Sequence, residues 1–137
     1  MKELIIAFCF VLICTITDIR TKKIYGEWIG VFCFTGILYC LYMEKSVQSV
    51  VYSVIPGIIL LIISVISKEA IGKGDGLMVI NLGIIMGPEK IIGILMISLI
   101  TCAVASLVMI VAKKVSKNYE IPFAPFLMIA LMFITFF

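Results

Sequence analysis

Gly72-Lys73-Gly74-Asp75-Gly76 is the stretch on which the reading of this chain turns. It is a glycine-rich segment carrying a carboxylate, set between two apolar runs, and it is expected to form a flexible turn. One other aspartate exists in the chain, Asp18, and it too stands where an apolar run ends. Two carboxylates at membrane boundaries, joined by flexible backbone, point to an aspartyl protease working at a membrane surface.

The residues around that stretch set the class. The chain is 64% hydrophobic and 14% charged over 137 residues, against about 25% charged in ordinary globular domains. This composition specifies an integral membrane protein, read as a single domain over 1–137. The net charge of +3 is too small and scattered for nucleic-acid binding. Histidine is absent, which excludes a Ser-His-Asp or Cys-His site and any His-ligated metal. Cys9, Cys14, Cys33, Cys40 and Cys102 lie inside apolar runs without a C-x-x-C pair, so they read as small buried apolar residues rather than a metal cage or disulfide framework.

Charges divide the sequence into six apolar segments: Leu4–Thr17, Trp28–Met43, Val50–Ser67, Leu77–Gly87, Ile91–Ala112 and Pro122–Phe137. A spanning helix needs about 20 apolar residues. Segments three and five meet this alone, and the others draw on flanking residues. Segment four is the shortest and is read as a span extended from Asp75 to Pro88. The first segment is read as a retained helix, because no small-x-small cleavage site follows it. Pro56-Gly57 is expected to interrupt and kink segment three. Gly26-x-x-x-Gly30 and Gly83-x-x-x-Gly87 have the spacing of close helix contacts. Trp28, Tyr25, Tyr42 and Tyr119 stand near segment ends, as interfacial aromatics do.

The fold expected is therefore all-α, a six-transmembrane-helix bundle. Loops after segments one, three and five carry Arg20, Lys22, Lys23, Lys68, Lys73, Lys113, Lys114 and Lys117; the opposite side carries Lys2, Lys45 and Lys90. Eight against three places the first set in the cytoplasm, with both termini outside. Both aspartates then fall on the cytoplasmic side of a multi-pass protein of the cell membrane. The basic residues have topology and contact with lipid head groups as their plain roles.

Each acid has a bland reading beside the functional one. Asp18 could be a solvated charge paired with Arg20 or Lys22; at the C-terminal end of a helix, though, the macrodipole disfavours its charge and favours the acid form. Asp75 could be an N-cap, where the helix start favours the ionised form. Gly72, Gly74 and Gly76 could make an ordinary tight turn, or offer bare surface for an extended peptide. Two carboxylates held close share a proton. The ionised one, here Asp75, takes a proton from water; the protonated one, Asp18, polarises the carbonyl and protonates the leaving amine.

At these residues the chain resembles the type IV prepilin peptidases, membrane aspartyl proteases with a G-x-G-D motif. The matches are Asp18-Ile19-Arg20 followed by Lys23-Ile24, then Gly72-Lys73-Gly74-Asp75, then Ile121-Pro122-Phe123-Ala124-Pro125-Phe126-Leu127. The resemblance implies a six-helix membrane bundle with Asp18 and Asp75 as catalytic pair. It implies cleavage of a basic, cytoplasmic leader from pilin-like precursors, whose apolar helix stays in the bilayer beside the enzyme. It departs from the family pattern at Ile24-Tyr25-Gly26, where Ile-Pro-Asn is common, and at Leu77, where a lysine often stands. No cysteine-bearing cytoplasmic insert fits in this chain, so it resembles the short, peptidase-only form, with no metal and no S-adenosylmethionine use expected. Glu69 and Glu120 are solvated loop charges that could assist docking of a basic leader. The rival readings are a presenilin-like protease, whose Tyr-Asp motif Thr17-Asp18 lacks, and a small proton-coupled transporter or non-enzymatic assembly protein. A transporter calls for an acid near the bilayer midplane, and no segment carries one there.

Overall fold

Six helices follow one another in the computed structural model, which describes residues 2–21, 26–42, 46–67, 72–112 and 122–136, without the side chains of 2, 17–21, 26–29, 31–33, 35 and 73. They are α1 (Lys2–Thr21), α2 (Gly26–Tyr42), α3 (Val47–Ile66), α4 (Lys73–Met86), α5 (Pro88–Val111) and α6 (Ala124–Phe136). No strand occurs among the described residues. Each helix coincides with one apolar segment, because backbone groups that cannot reach water must bond within their own segment. α3 is continuous through Pro56, so Pro56-Gly57 does not divide it.

α4 is the hub: it packs against α1, α2, α3 and α5, while α6 closes over α1 and α5. Its 14 residues rise only ~21 Å, short of a hydrocarbon core of ~30 Å. The expected fourth span is thus too short to cross alone. Met78, Val79 and every residue from Asn81 to Met86 are buried, so its neighbours, rather than lipid, cover most of it.

The contact between α3 and α4 is made backbone to backbone. A Cβ on Gly57 would meet the Ile80 side chain, the Ile80 nitrogen at 2.7 Å and the Gly76 carbonyl oxygen at 2.9 Å. A Cβ on Gly83 would run into the carbonyl oxygen of Ser53. Glycines at such points let two helices approach with no side chain between them. Gly83 of the Gly83-x-x-x-Gly87 pair serves this contact; Gly87 instead turns the chain into α5 at φ 87°, a conformation suited to glycine.

α3 and α5 are long and apolar enough to cross a membrane, and only 22% and 11% of their apolar windows are buried. They are therefore not core helices of a water-soluble fold. Their outer faces carry Ile58, Ile59, Ile62, Met96, Ile100, Val104 and Leu107, all exposed. An apolar exterior of this extent suits lipid. Ile100→Arg, midway along α5 and facing out, is expected to weaken insertion of that helix by about 2.5–3.5 kcal/mol. Partition of the chain between membrane and soluble fractions reads the effect.

Candidate active site

α4 holds the glycine-rich stretch in a form the sequence did not suggest. Gly72 is the N-cap, with φ −61° and ψ 133°, and Lys73, Gly74 and Asp75 are already helical. The stretch is a helix start, not a flexible turn, and Asp75 stands third in the helix instead of at the cap. The Asp75 backbone N–H donates to the Gly72 carbonyl at 3.0 Å. A Cβ on Gly72 would lie 3.3 Å from Asp75 Oδ2, so the carboxylate folds back over the start of its own helix. The N–H groups and the positive dipole end of the helix start lie beside it.

The three glycines divide by environment. Gly72 is exposed, Gly74 is half-buried and Gly76 is buried. The expectation of bare surface therefore fails at Gly76, which is filled by α3: a Cβ there would stand 2.7 Å from Leu61 Cγ and 3.1 Å from the Leu61 nitrogen. Gly74, Gly76 and Gly83 inside one helix cost about 3 kcal/mol of helix propensity relative to alanine. Close packing at Gly76 and Gly83 offsets that cost.

At about 100° per residue, the neighbours of α4 can be assigned to its faces. Gly76, Ile80 and Gly83 face α3. Asn81 and Ile84 face α2, where Gly36 lies against the Asn81 Oδ1; the Asn81 amide donates to the Leu77 carbonyl at 3.2 Å. The remaining face carries Asp75, Val79, Leu82 and Met86, and it falls to α1 and α5, the other two helices packed on α4. Asp75 thus heads a buried stripe, since Val79 and Leu82 are fully enclosed and Met86 nearly so.

α1 presents a matching stripe. Ala7, Phe10, Val11 and Cys14 are buried, at the spacing of one helix face. Asp18 is described by its backbone, in the last turn of α1. It falls four residues after Cys14 and seven after Val11, so its position continues that face. The helix runs on to Thr21, past the expected end at Thr17, yet Asp18 stays within the final turn where the dipole acts.

Chain direction puts both positions at one end of the bundle. Gly83 meets Ser53 while Gly76 meets Leu61, so α3 and α4 are antiparallel. The four residues between α1 and α2, and between α2 and α3, can reach at most ~14 Å, too little to return along a helix. α1 and α3 therefore end where α2 and α4 begin. α5 forms the third side: its buried stripe Ile91, Ile94, Ser98 leads to half-buried Cys102, which lies within electrostatic reach of Asp75. A hollow lined by Ser49, Met86, Gly87, Pro88, Glu89 and Lys90 sits at the other end of α4, ~16 Å of helix rise from Asp75.

Gly57, Leu61 and Gly83 were not singled out from sequence as site supports. The seven-residue interval between Gly76 and Gly83, two turns of one face, was the available signal. Lys22, Lys23, Lys68, Glu69, the group Lys113, Lys114 and Lys117, Tyr119, Glu120 and Ile121 lie outside the described residues. Ser98 bonds its own helix, donating to the Leu95 carbonyl at 2.8 Å. Ser98→Ala, which removes one such bond, is expected to cost no more than about 1 kcal/mol and to leave activity unchanged, as thermal melting and a turnover assay would read.

A family model described as the type IV leader peptidase family matches residues 5–107, a span that holds both acids and ends before α6. No curated protein and no solved structure matches the chain. With well over half of its length matched, and the matched part carrying Asp18 and the Gly72–Asp75 helix start, this chain belongs to the type IV leader peptidase family, a family of membrane-associated proteases.

Proposed function

We propose that the chain is an aspartyl endopeptidase of the cytoplasmic membrane that removes a basic, cytoplasmic leader from type IV prepilin-like precursors. One observation carries this reading. The only two aspartates each continue the buried face of their own helix, at the same end of the bundle, and those helices pack on each other. Solvated loop charges have no reason to fall on inward faces of two packed helices.

The chemistry follows from their environments. Asp75, at a helix start, is the base that takes a proton from water. The water oxygen attacks the scissile carbonyl carbon. Asp18, in the last turn of α1, holds the proton that polarises the carbonyl and then passes to the leaving nitrogen. As a close pair they titrate jointly. Gly72 and Gly74 leave the approach to Asp75 free of side chains, so an extended peptide reaches the carboxylates there. The six helices sit in the bilayer with both termini outside, the three shorter ones (α2, α4 and α6) crossing with the help of flanking residues. The precursor's apolar helix stays in lipid beside them.

A transporter is disfavoured by the interior. The buried polar residues among those described are Ser53, Ser64, Asn81 and Ser98, none of which gains or loses a proton near neutral pH. Coexpression with leader-bearing pilin precursors tests the proposal: wild type should yield a shortened precursor band on a gel, and Asp75→Ala none. Equal processing by both would end it.

A further inference from the structure

Gly76 follows the motif directly, yet it does not face the space in front of Asp75. It faces α3, with Leu61 Cδ2 2.8 Å and Leu61 Cγ 2.7 Å from where a Cβ would stand. One turn earlier on α3, Gly57 holds the Gly76 carbonyl and the Ile80 nitrogen at 2.9 and 2.7 Å from its own Cβ position. The first turn of α4 is therefore pinned on its α3 side, about one residue's turn away from the face that carries Asp75. Any displacement there moves Asp75, because one helical turn is a rigid unit. We infer that α3 positions the reacting carboxylate: its close approach at Gly57 seats the first turn of α4, and Gly76 is the gap that admits Leu61 rather than a contact to substrate. The inference rests on the peptidase reading and makes Gly76 and Gly57 positioning residues.

The physical reason is the tolerance of the chemistry. A base displaced by about 1 Å loses of the order of a hundredfold in rate. Adding a methyl group at Gly76 forces a shift, since Leu61 approaches with backbone as well as side chain. Truncating Leu61 removes the two nearer atoms and leaves its nitrogen at 3.1 Å, a contact the helices can absorb.

The test is a four-variant cycle on the full chain reconstituted in lipid: wild type, Gly76→Ala, Leu61→Ala and the double variant. The probe is a leader-bearing precursor that the wild type cleaves. Gly76→Ala is expected to lower kcat at least tenfold with KM within twofold, and Leu61→Ala alone to stay within threefold of wild type. The double variant should return to within threefold of Leu61→Ala. Gly57→Ala should also lower kcat and should not respond to Leu61→Ala, since its obstacles are the Ile80 side chain and α4 backbone.

Three results overturn the inference. One is Gly76→Ala with wild-type kcat. Another is a loss carried in KM, which would put Gly76 on the substrate. The last is a double variant no better than Gly76→Ala, including one that fails to fold. If Gly76→Ala alone does not fold, recovery of both folding and turnover in the double variant supports the inference, and recovery of folding without turnover overturns it. Asp75→Asn in the wild-type background separates the two levels: retained cleavage there removes the peptidase reading itself, whereas its loss leaves the cycle as a test of positioning alone.

Discussion

Asp75→Asn and Asp18→Asn are each expected to lower kcat/KM for leader cleavage by roughly 10²–10⁴-fold, with KM little changed. Asparagine keeps the size of the side chain and its hydrogen-bonding reach but cannot take or give the proton. The Asp75 change removes the proposed base, at a helix start. The Asp18 change removes the proposed acid, in the last turn of α1. In the proposed mechanism the two act as one unit on one water, so the double variant should be hardly worse than either single one. Additive losses would mean that the carboxylates serve separate steps. Retained cleavage in either single variant would remove the pair from the mechanism. The protein should fold normally in all three cases, because neither acid belongs to the α3–α4 contact that organises the bundle.

The second large effect is on stability. Gly83→Ala gains up to about 1 kcal/mol of helix propensity, yet its methyl group would run into the Ser53 carbonyl oxygen. Overpacking of this kind costs about 1–3 kcal/mol, and the obstacle is backbone, which cannot rotate away. The clash wins, and the net loss should be about 1–2 kcal/mol. Gly30→Ala provides the contrast. Gly30 lies inside α2, is exposed, and has nothing within 4 Å of its Cβ position. There the propensity term stands alone, and the variant should be more stable by as much as 1 kcal/mol. Melting of the two variants in the same detergent should thus move in opposite directions. A Gly83→Ala protein as stable as wild type would show that α3 and α4 do not meet at Ser53.

Helix number and most helix boundaries could be read directly from charge and hydropathy. Charged residues separate apolar runs because neither can be buried in the other's surroundings, and that rule needs no knowledge of the fold. The family came from a resemblance carried by Asp18-Ile19-Arg20, by Gly72–Asp75 and by Ile121–Leu127, and the family match over residues 5–107 bears the family out.

The helical start of α4 and the fate of its glycines were not legible. A run of Gly-Lys-Gly-Asp-Gly reads locally as a turn, because glycine disfavours helix by about 1 kcal/mol per residue. Tertiary packing reverses that preference: α3 comes so close at Gly57, Leu61 and Ser53 that only glycines at Gly76 and Gly83 fit. Hydropathy also cannot tell a lipid-facing apolar helix from an enclosed one, so nothing in the sequence marked α4 as a hub packed against four others.

What the sequence alone determined, then, is which segments are helical and which family the chain belongs to, since both depend on the residue types and their order. Only the tertiary structure decided that Asp75 stands in the first turn of the central helix, that Gly76 is a packing residue, and that α1 is among the helices packed on α4. Those facts depend on which helix faces meet, and close backbone contact between distant residues leaves no local mark in the chain.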